Sequence, residues 1–210
     1  MVSVLLMAVS ASADLISFQL TIPNTDISPY PAPYADVTVN RTSSTTAIIT
    51  FTGDSSGGFT YLIGGAQAAD LNVANATSFT ATGFTFTGGK TSGGNPTGFT
   101  PSYFPNNSVS QFGKLNLQID NNDGFPDAVS QLIFTLTNTG GSWADAASVL
   151  TPDADGFLAA AHIFVVDSTG ANPATGFAGN GTPIPEPATM LLLGSGLIGL
   201  AGLARKRFKK

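Results

Sequence analysis

The sequence predicts an all-β fold, an antiparallel β-sandwich or jelly roll with one short helix, and three observations carry that prediction. Between residues 14 and 180, apolar residues recur with a period of two far more than of 3.6. The runs are rich in β-branched residues and Phe, which suit a pleated, half-buried surface. Gly, Asn, Asp or Pro closes most of them.

Nine strands follow in order. LISFQLTI (15–22) is strongly apolar, and ADVTVNRT (35–42) alternates with Val37 and Val39 on one face. TTAIITFTG (45–53), GFTYLIGG (58–65), ADLNVANAT (69–77) and SFTATGFTFTGG (78–89) come next. GKLNLQID (113–120) places Leu115, Leu117 and Ile119 on one face and Lys114, Asn116, Gln118 and Asp120 on the other. SQLIFTLTNTG (130–140) and GFLAAAHIFVVD (156–167) complete the set. Short alternating strands separated by turn residues build sandwiches whose sheets keep one wet face. The helix is expected in GSWADAASVLTP (141–152), where Ser142 is a capping residue, Asp145 lies in the first turn and Pro152 is a stop. Residues 87–108, with five Gly and three Pro, read as a long loop, and residues 167–182 as a flexible linker after a body at 14–166.

Charge excludes several classes. Residues 14–180 hold twelve Asp, no Glu, and only Arg41, Lys90 and Lys114, a balance of 3 − 12 = −9. Such a body repels phosphate backbones, which argues against nucleic acid as a partner. It suits divalent cations or neutral glycans. The absence of cysteine removes disulfides, thiolate metal sites and Cys nucleophiles.

Both ends read as addresses. Residues 1–13 resemble a signal peptide: an apolar run from Val2 to Val9, then Ala11-Ser12-Ala13 before Asp14. The basic n-region is missing, as expected if the true start codon lies upstream. At the other end, residues 188–204 are uncharged and apolar and reach about 25 Å as a helix, close to a hydrocarbon core. Arg205, Lys206, Arg207, Lys209 and Lys210 follow, a basic tail (205–210) that places the C-terminus in the cytoplasm by the positive-inside rule. Within this span Gly194-Ser195-Gly196-Leu197-Ile198-Gly199 matches G-x-G-x-x-G, but no βαβ unit can follow it, so it is not a dinucleotide site.

Pro185 and Pro187 bracket Glu186, the only Glu in the chain, and hold it extended just outside the membrane. Pro185-Glu186-Pro187-Ala188-Thr189, the apolar span and the basic cluster together resemble a PEP-CTERM sorting signal over residues 183–210. The resemblance implies recognition by exosortase, a membrane transpeptidase-like cysteine protease of Gram-negative bacteria. It also implies a transient inner-membrane anchor, removal of the tail, and release or transfer of the body to the cell surface or outside the cell. Proteins of this kind accompany exopolysaccharide and biofilm production, which points to a structural or adhesive matrix component.

Signs of chemistry are few. His162, the only histidine, sits among apolar neighbours in AAAHIFVV and reads as a satisfied strand histidine. No G-x-S-x-G elbow is present, and glycosidase carboxylates would have to be Asp pairs that spacing does not select. The sequence therefore argues against an enzyme, with a hydrolase acting on exopolysaccharide as a second alternative. DNNDGFPD (120–127) is the best ligand candidate: Asp120, Asn122, Asp123 and Asp127 offer hard oxygens for Ca²⁺. Its Gly falls at position five rather than six, so it is no EF-hand, and a β-turn accounts for the same residues. TPDADG (151–156) is a weaker candidate of the same kind. Phe99, Tyr103, Phe104 and Phe125 are candidates for stacking on sugar rings, against a default of packing. A Ca²⁺-assisted glycan-binding module is the first alternative to the structural role.

Overall fold

The computed structural model describes residues 14–74, 78–90, 98–104, 107–121 and 124–180. The signal-peptide reading (1–13), Asn122 and Asp123, and the whole tail with Pro185–Pro187, the span 188–204 and the basic cluster lie outside the described residues. Among the described residues no helix is long and apolar enough to cross a membrane.

The fold is all-β, as the alternation predicts. In chain order the strands are β1 (Leu15–Leu20), β2 (Ile22–Pro23), β3 (Ala35–Arg41), β4 (Thr46–Gly53), β5 (Ser55–Ser56), β6 (Phe59–Ile63) and β7 (Ala69–Leu71). Then come β8 (Phe79–Thr87), β9 (Thr100–Tyr103), β10 (Leu117–Asp120), β11 (Gln131–Asn138), β12 (Ala159–Val166) and β13 (Ala174–Asn180). One sheet has the order β1-β3-β4-β11-β8. The other runs β2-β13-β12-β7-β10-β9, with β6 also pairing β12, and β5 pairing β6. Every pairing is antiparallel.

The period-two residues meet in one core. Ile16, Phe18 and Leu20 of β1, Ile49 and Phe51 of β4, and Phe134 of β11 join Leu71, Ile119 and Ile163 of the other sheet in a single buried cluster. The opposite face of the first sheet is wet and built largely of threonine. Thr38, Thr50 and Thr52 alternate with the core residues of β3 and β4, and Thr135 and Thr137 with those of β11.

β8 breaks period two and still sets aromatic side chains of both halves against the core. Between Thr82↔Thr135 and Thr85↔Ile133, two residues, Gly83 and Phe84, face one. This is a β-bulge, and Gly83 has the positive φ (67°) that such a kink requires. The extra residue re-phases the strand, so Phe79 and Ala81 before it, and Phe84 and Phe86 after it, all pack on the core.

Three expectations need correction. Residues 141–152 form turns and a bridge from Leu150 to Val73, not a helix. Asp145 and Ser148 bond reciprocally: Ser148 N donates to Asp145 Oδ1 (2.8 Å) and Asp145 N to Ser148 Oγ (3.0 Å). These short polar side chains offer the backbone local partners that compete with the helical ladder. The described helical turn is a 3-10 turn at Phe125–Asp127. Residues 174–180, expected within the linker, form β13, which pairs with β12 along seven positions from Ala159↔Asn180 to Val165↔Ala174. Small residues predict weak strand character, but a central partner supplies the ladder. Within the expected loop 87–108, Thr100–Tyr103 forms β9 at the edge of the second sheet.

Candidate functional site

The second sheet carries the polar features. Its inward residues, Ala69, Leu71, Leu117 and Ile119, belong to the core. Its outward residues include Asp70 of β7, Gln118 and Asp120 of β10, and Ser102 of β9. Gln118 is the direct partner of both Asp70 and Ser102. Part of this face is roofed by the segment before β10, where Val109, Phe112 and Leu115 pack with Ala160. Beside that roof lies an open cleft of about 690 Å³, lined by Gln67, Ser102, Asn107, Ser108, Gln118 and Asp120. A cleft of this size suits a small ligand, and its lining of amides, hydroxyls and one carboxylate suits hydrogen bonding.

Asp120 is fixed from two sides. Gln67 N donates to its Oδ1 (2.9 Å), and Ser102 Oγ lies 3.5 Å from its Oδ2. Gln67 itself has φ 57°. The other described non-glycine residues in the left-handed region are Phe104 and Ser110, at either end of the stretch that brings Asn107 and Ser108 to the cleft. Left-handed backbone at non-glycine residues is costly and tends to collect where a site is held in shape.

Gly65 sets the bend that delivers Gln67. Its φ is 76°, and an added Cβ would stand 2.7 Å from His162 Nδ1. Its carbonyl accepts from Asn121 N (2.9 Å), tying the bend to the end of β10. Gly65→Ala is expected to cost about 1–3 kcal/mol through backbone strain and displacement of the imidazole. Urea unfolding measures this, and a midpoint equal to that of the parent would refute it.

The predicted candidates divide. Asp120 lines the cleft. Asp127 sits in the 3-10 turn, where its N donates to Gly124 O (3.2 Å). Among the described residues, no group of three or more His, Cys, Asp or Glu is placed to hold a metal. TPDADG is a turn closed on its own side chain: Asp153 Oδ1 accepts from the amides of Asp155 and Phe157, both at 2.9 Å. His162 lies on β12 with Nε2 2.8 Å from Thr175 Oγ1 and its ring stacked on Phe177 (4.6 Å between centroids). Burial holds the imidazole below its usual pKa, partly offset by the backbone at Gly64 and Ala66. Phe99 is buried against Phe84 and Phe86, Phe125 packs on Phe164, and Tyr103 and Phe104, though exposed on one side, both pack on Phe79.

Asp70 carried no signal in the sequence. It is fully buried, and neither of its carboxylate oxygens has a hydrogen-bond partner; nor has Nε2 of Gln118 beside it. Burial first, and then the charge of Asp120, hold the Asp70 carboxyl well above the ordinary carboxylate range. Only pairing across three strands places these groups together, so spacing along the chain cannot find them.

The tail is identified by comparison. A family model described as the PEP-CTERM protein-sorting motif matches residues 183–207. The chain carries a PEP-CTERM sorting signal. The match includes Pro185, Glu186 and Pro187, the apolar span and the first three basic residues, in the order the resemblance requires. The PEP-CTERM signal supports export by way of the membrane to the cell surface and sorting by exosortase, a membrane enzyme. No curated protein and no solved structure matches the chain.

Proposed function

We propose that this chain is an exported, non-catalytic component of the cell surface or extracellular matrix, structural or adhesive, working alongside exopolysaccharide. The PEP-CTERM match at residues 183–207 is the observation that carries this reading. The chain enters the export route through its N-terminal signal. It pauses in the inner membrane with its basic end in the cytoplasm and is cut near Glu186. The threonine-rich face of the first sheet favours the matrix role, because hydroxyls without charge hydrogen-bond neutral polysaccharide and tolerate its water.

The experiment is to express the full chain in a host with an exosortase and weigh the mature protein. The parent is expected to lose the apolar span and the basic tail. Glu186→Ala is expected to accumulate with the tail attached, in the membrane fraction. Mature parent protein recovered outside the cell with residues 188–210 intact would sink the reading.

A glycan-binding module is the second reading, favoured by the polar cleft at Gln67, Ser102, Gln118 and Asp120. Titration with a panel of neutral oligosaccharides separates it from a purely structural role.

A further inference from the structure

A buried carboxylate without a donor or a counter-charge either keeps its proton or takes up a cation. Asp70 is in that position: it is fully buried, and both of its oxygens are unpartnered. The charge that acts on it is Asp120, of the same sign. No cation acts on it, and two of the three among the described residues are occupied elsewhere. Arg41 pairs with Asp14 (3.3 Å) and donates to Ala144 O (2.6 Å), and Lys90 donates to Gly170 O and lies over the Phe125 ring. Left charged and unpaired such a group is strongly unfavourable, so an ion that supplies the missing partner is held by what it relieves.

The surroundings supply what a cation needs. Asp70 opposes Gln118, and Asp120 lies two residues further on the same face of β10. Diagonal neighbours of this kind have Cα atoms about 7–8 Å apart, a span that two carboxylates can close on one ion. Gln118, Asp120 and Ser102 line the cleft and Asp70 does not, so an ion between the two carboxylates would meet solvent from the Asp120 side. Asp120 is already oriented by Gln67 N. The donors are carboxylate, amide and hydroxyl oxygens, with no thiolate, and they come from three strands rather than a compact loop. Hard oxygens in an irregular arrangement with room for water suit calcium better than the strict octahedron of magnesium.

We propose that Asp70 and Asp120, completed by the amide oxygen of Gln118 and the hydroxyl of Ser102, bind a calcium ion at the floor of the cleft. This site shares Asp120 with the loop candidate 120–127 but replaces its other members with Gln118 of the same strand, Ser102 of β9 and Asp70 of β7, 50 residues away in the chain. It stands apart from the sorting reading, and it does not require a glycan. A bound calcium would present open coordination positions to the cleft, where sugar hydroxyls are natural ligands.

The test is calorimetric titration of the full-length chain in detergent with CaCl₂ alone, at neutral pH after treatment with a chelator. One ion per chain is expected, with Kd on the order of 10⁻⁴–10⁻³ M, the range of extracellular calcium modules. Asp70→Asn and Asp120→Asn should each weaken binding by about tenfold or more, a loss matching that expected for one ligating charge. Circular dichroism establishes that each variant is folded, and the two variants from different strands guard against a failure of either one. Absence of calcium binding by the parent overturns the proposal. So does full binding by folded Asp70→Asn combined with loss in Asp127→Asn, which would move the ion to the loop. Oligosaccharide titrations repeated with chelator present keep the two readings separate, since glycan binding in chelator supports the module reading whatever the calcium titration gives.

Discussion

Replacing Trp143 with alanine will lower the melting temperature of the chain by roughly 10–15 °C. Trp143 is the only tryptophan and is 1% exposed. Its position ties both sheets to the turns that replace the expected helix. Trp143 N donates to Ser44 O (2.7 Å), between β3 and β4, and its Nε1 donates to Ala74 O (3.0 Å), just after β7. Truncation of a buried tryptophan costs about 3–5 kcal/mol, and a body of this size loses about 2–4 °C for each kcal/mol. Against a total stability of about 5–15 kcal/mol, that is a large share. Trp143→Phe keeps most of the packing but orphans the Ala74 carbonyl, so its loss should be nearer 1–3 kcal/mol. Thermal circular dichroism of the parent and both variants decides the matter. A melting point for the alanine variant within experimental error of the parent would show that Trp143 does not join the two layers.

With calcium removed, stability is expected to fall as pH rises above the ordinary carboxylate range, and Asp70→Asn should abolish that fall. The folded state holds the Asp70 proton more tightly than the unfolded chain does, because burial and the charge of Asp120 both disfavour the anion. Between the ordinary aspartate value of about 4 and the raised folded value, the native state binds the extra proton. Stability contributed by the neutral form is therefore complete at low pH and lost as pH climbs through the folded value. The groups on this face of the neighbouring strands are Gln118 and Asp120 on β10 and His162 on β12. His162 works in the other direction. Its lowered folded value means stability is lost as pH falls below the ordinary histidine value of about 6.5. Subtracting the Asp70→Asn profile from that of the parent cancels this histidine contribution. At pH 8 in chelator the variant should be the more stable, because its neutral amide carries no proton-linked penalty for burial. Urea unfolding at several pH values measures the difference. Parallel profiles for parent and variant would mean that Asp70 does not titrate alone in the interior.

The sequence was most readable where a local rule suffices. In β4, Ala47, Ile49 and Phe51 point inward and Thr50 and Thr52 outward because side chains alternate along any strand. The nine alternating runs each contain one of the observed strands for this reason. β13 escaped because ATGFAGN has few large apolar groups, and its place in the sheet rests on β12 as a partner rather than on its own preference. The helix at 141–152 failed because Asp145 and Ser148 satisfy each other's backbone, a choice that helix propensity does not register. The bulge at Gly83 shifted the phase of β8, so the half-buried Phe84 and Phe86 pack against the core although they lie off the register of Phe79 and Ala81.

By itself the sequence determined the sorting signal and the class of fold. A processing enzyme reads an extended tripeptide, a membrane reads a run of apolar residues, and an alternating pattern needs only its own strand to be seen. Tertiary structure alone decided which polar groups meet. Asp70, Ser102, Gln118 and Asp120 are brought to one face by pairings between β7, β10 and β9, and Asp70 lost its water because a separate segment covers that face. Register between distant strands, and the desolvation that follows from it, are properties of the assembled sheet and have no counterpart in local spacing.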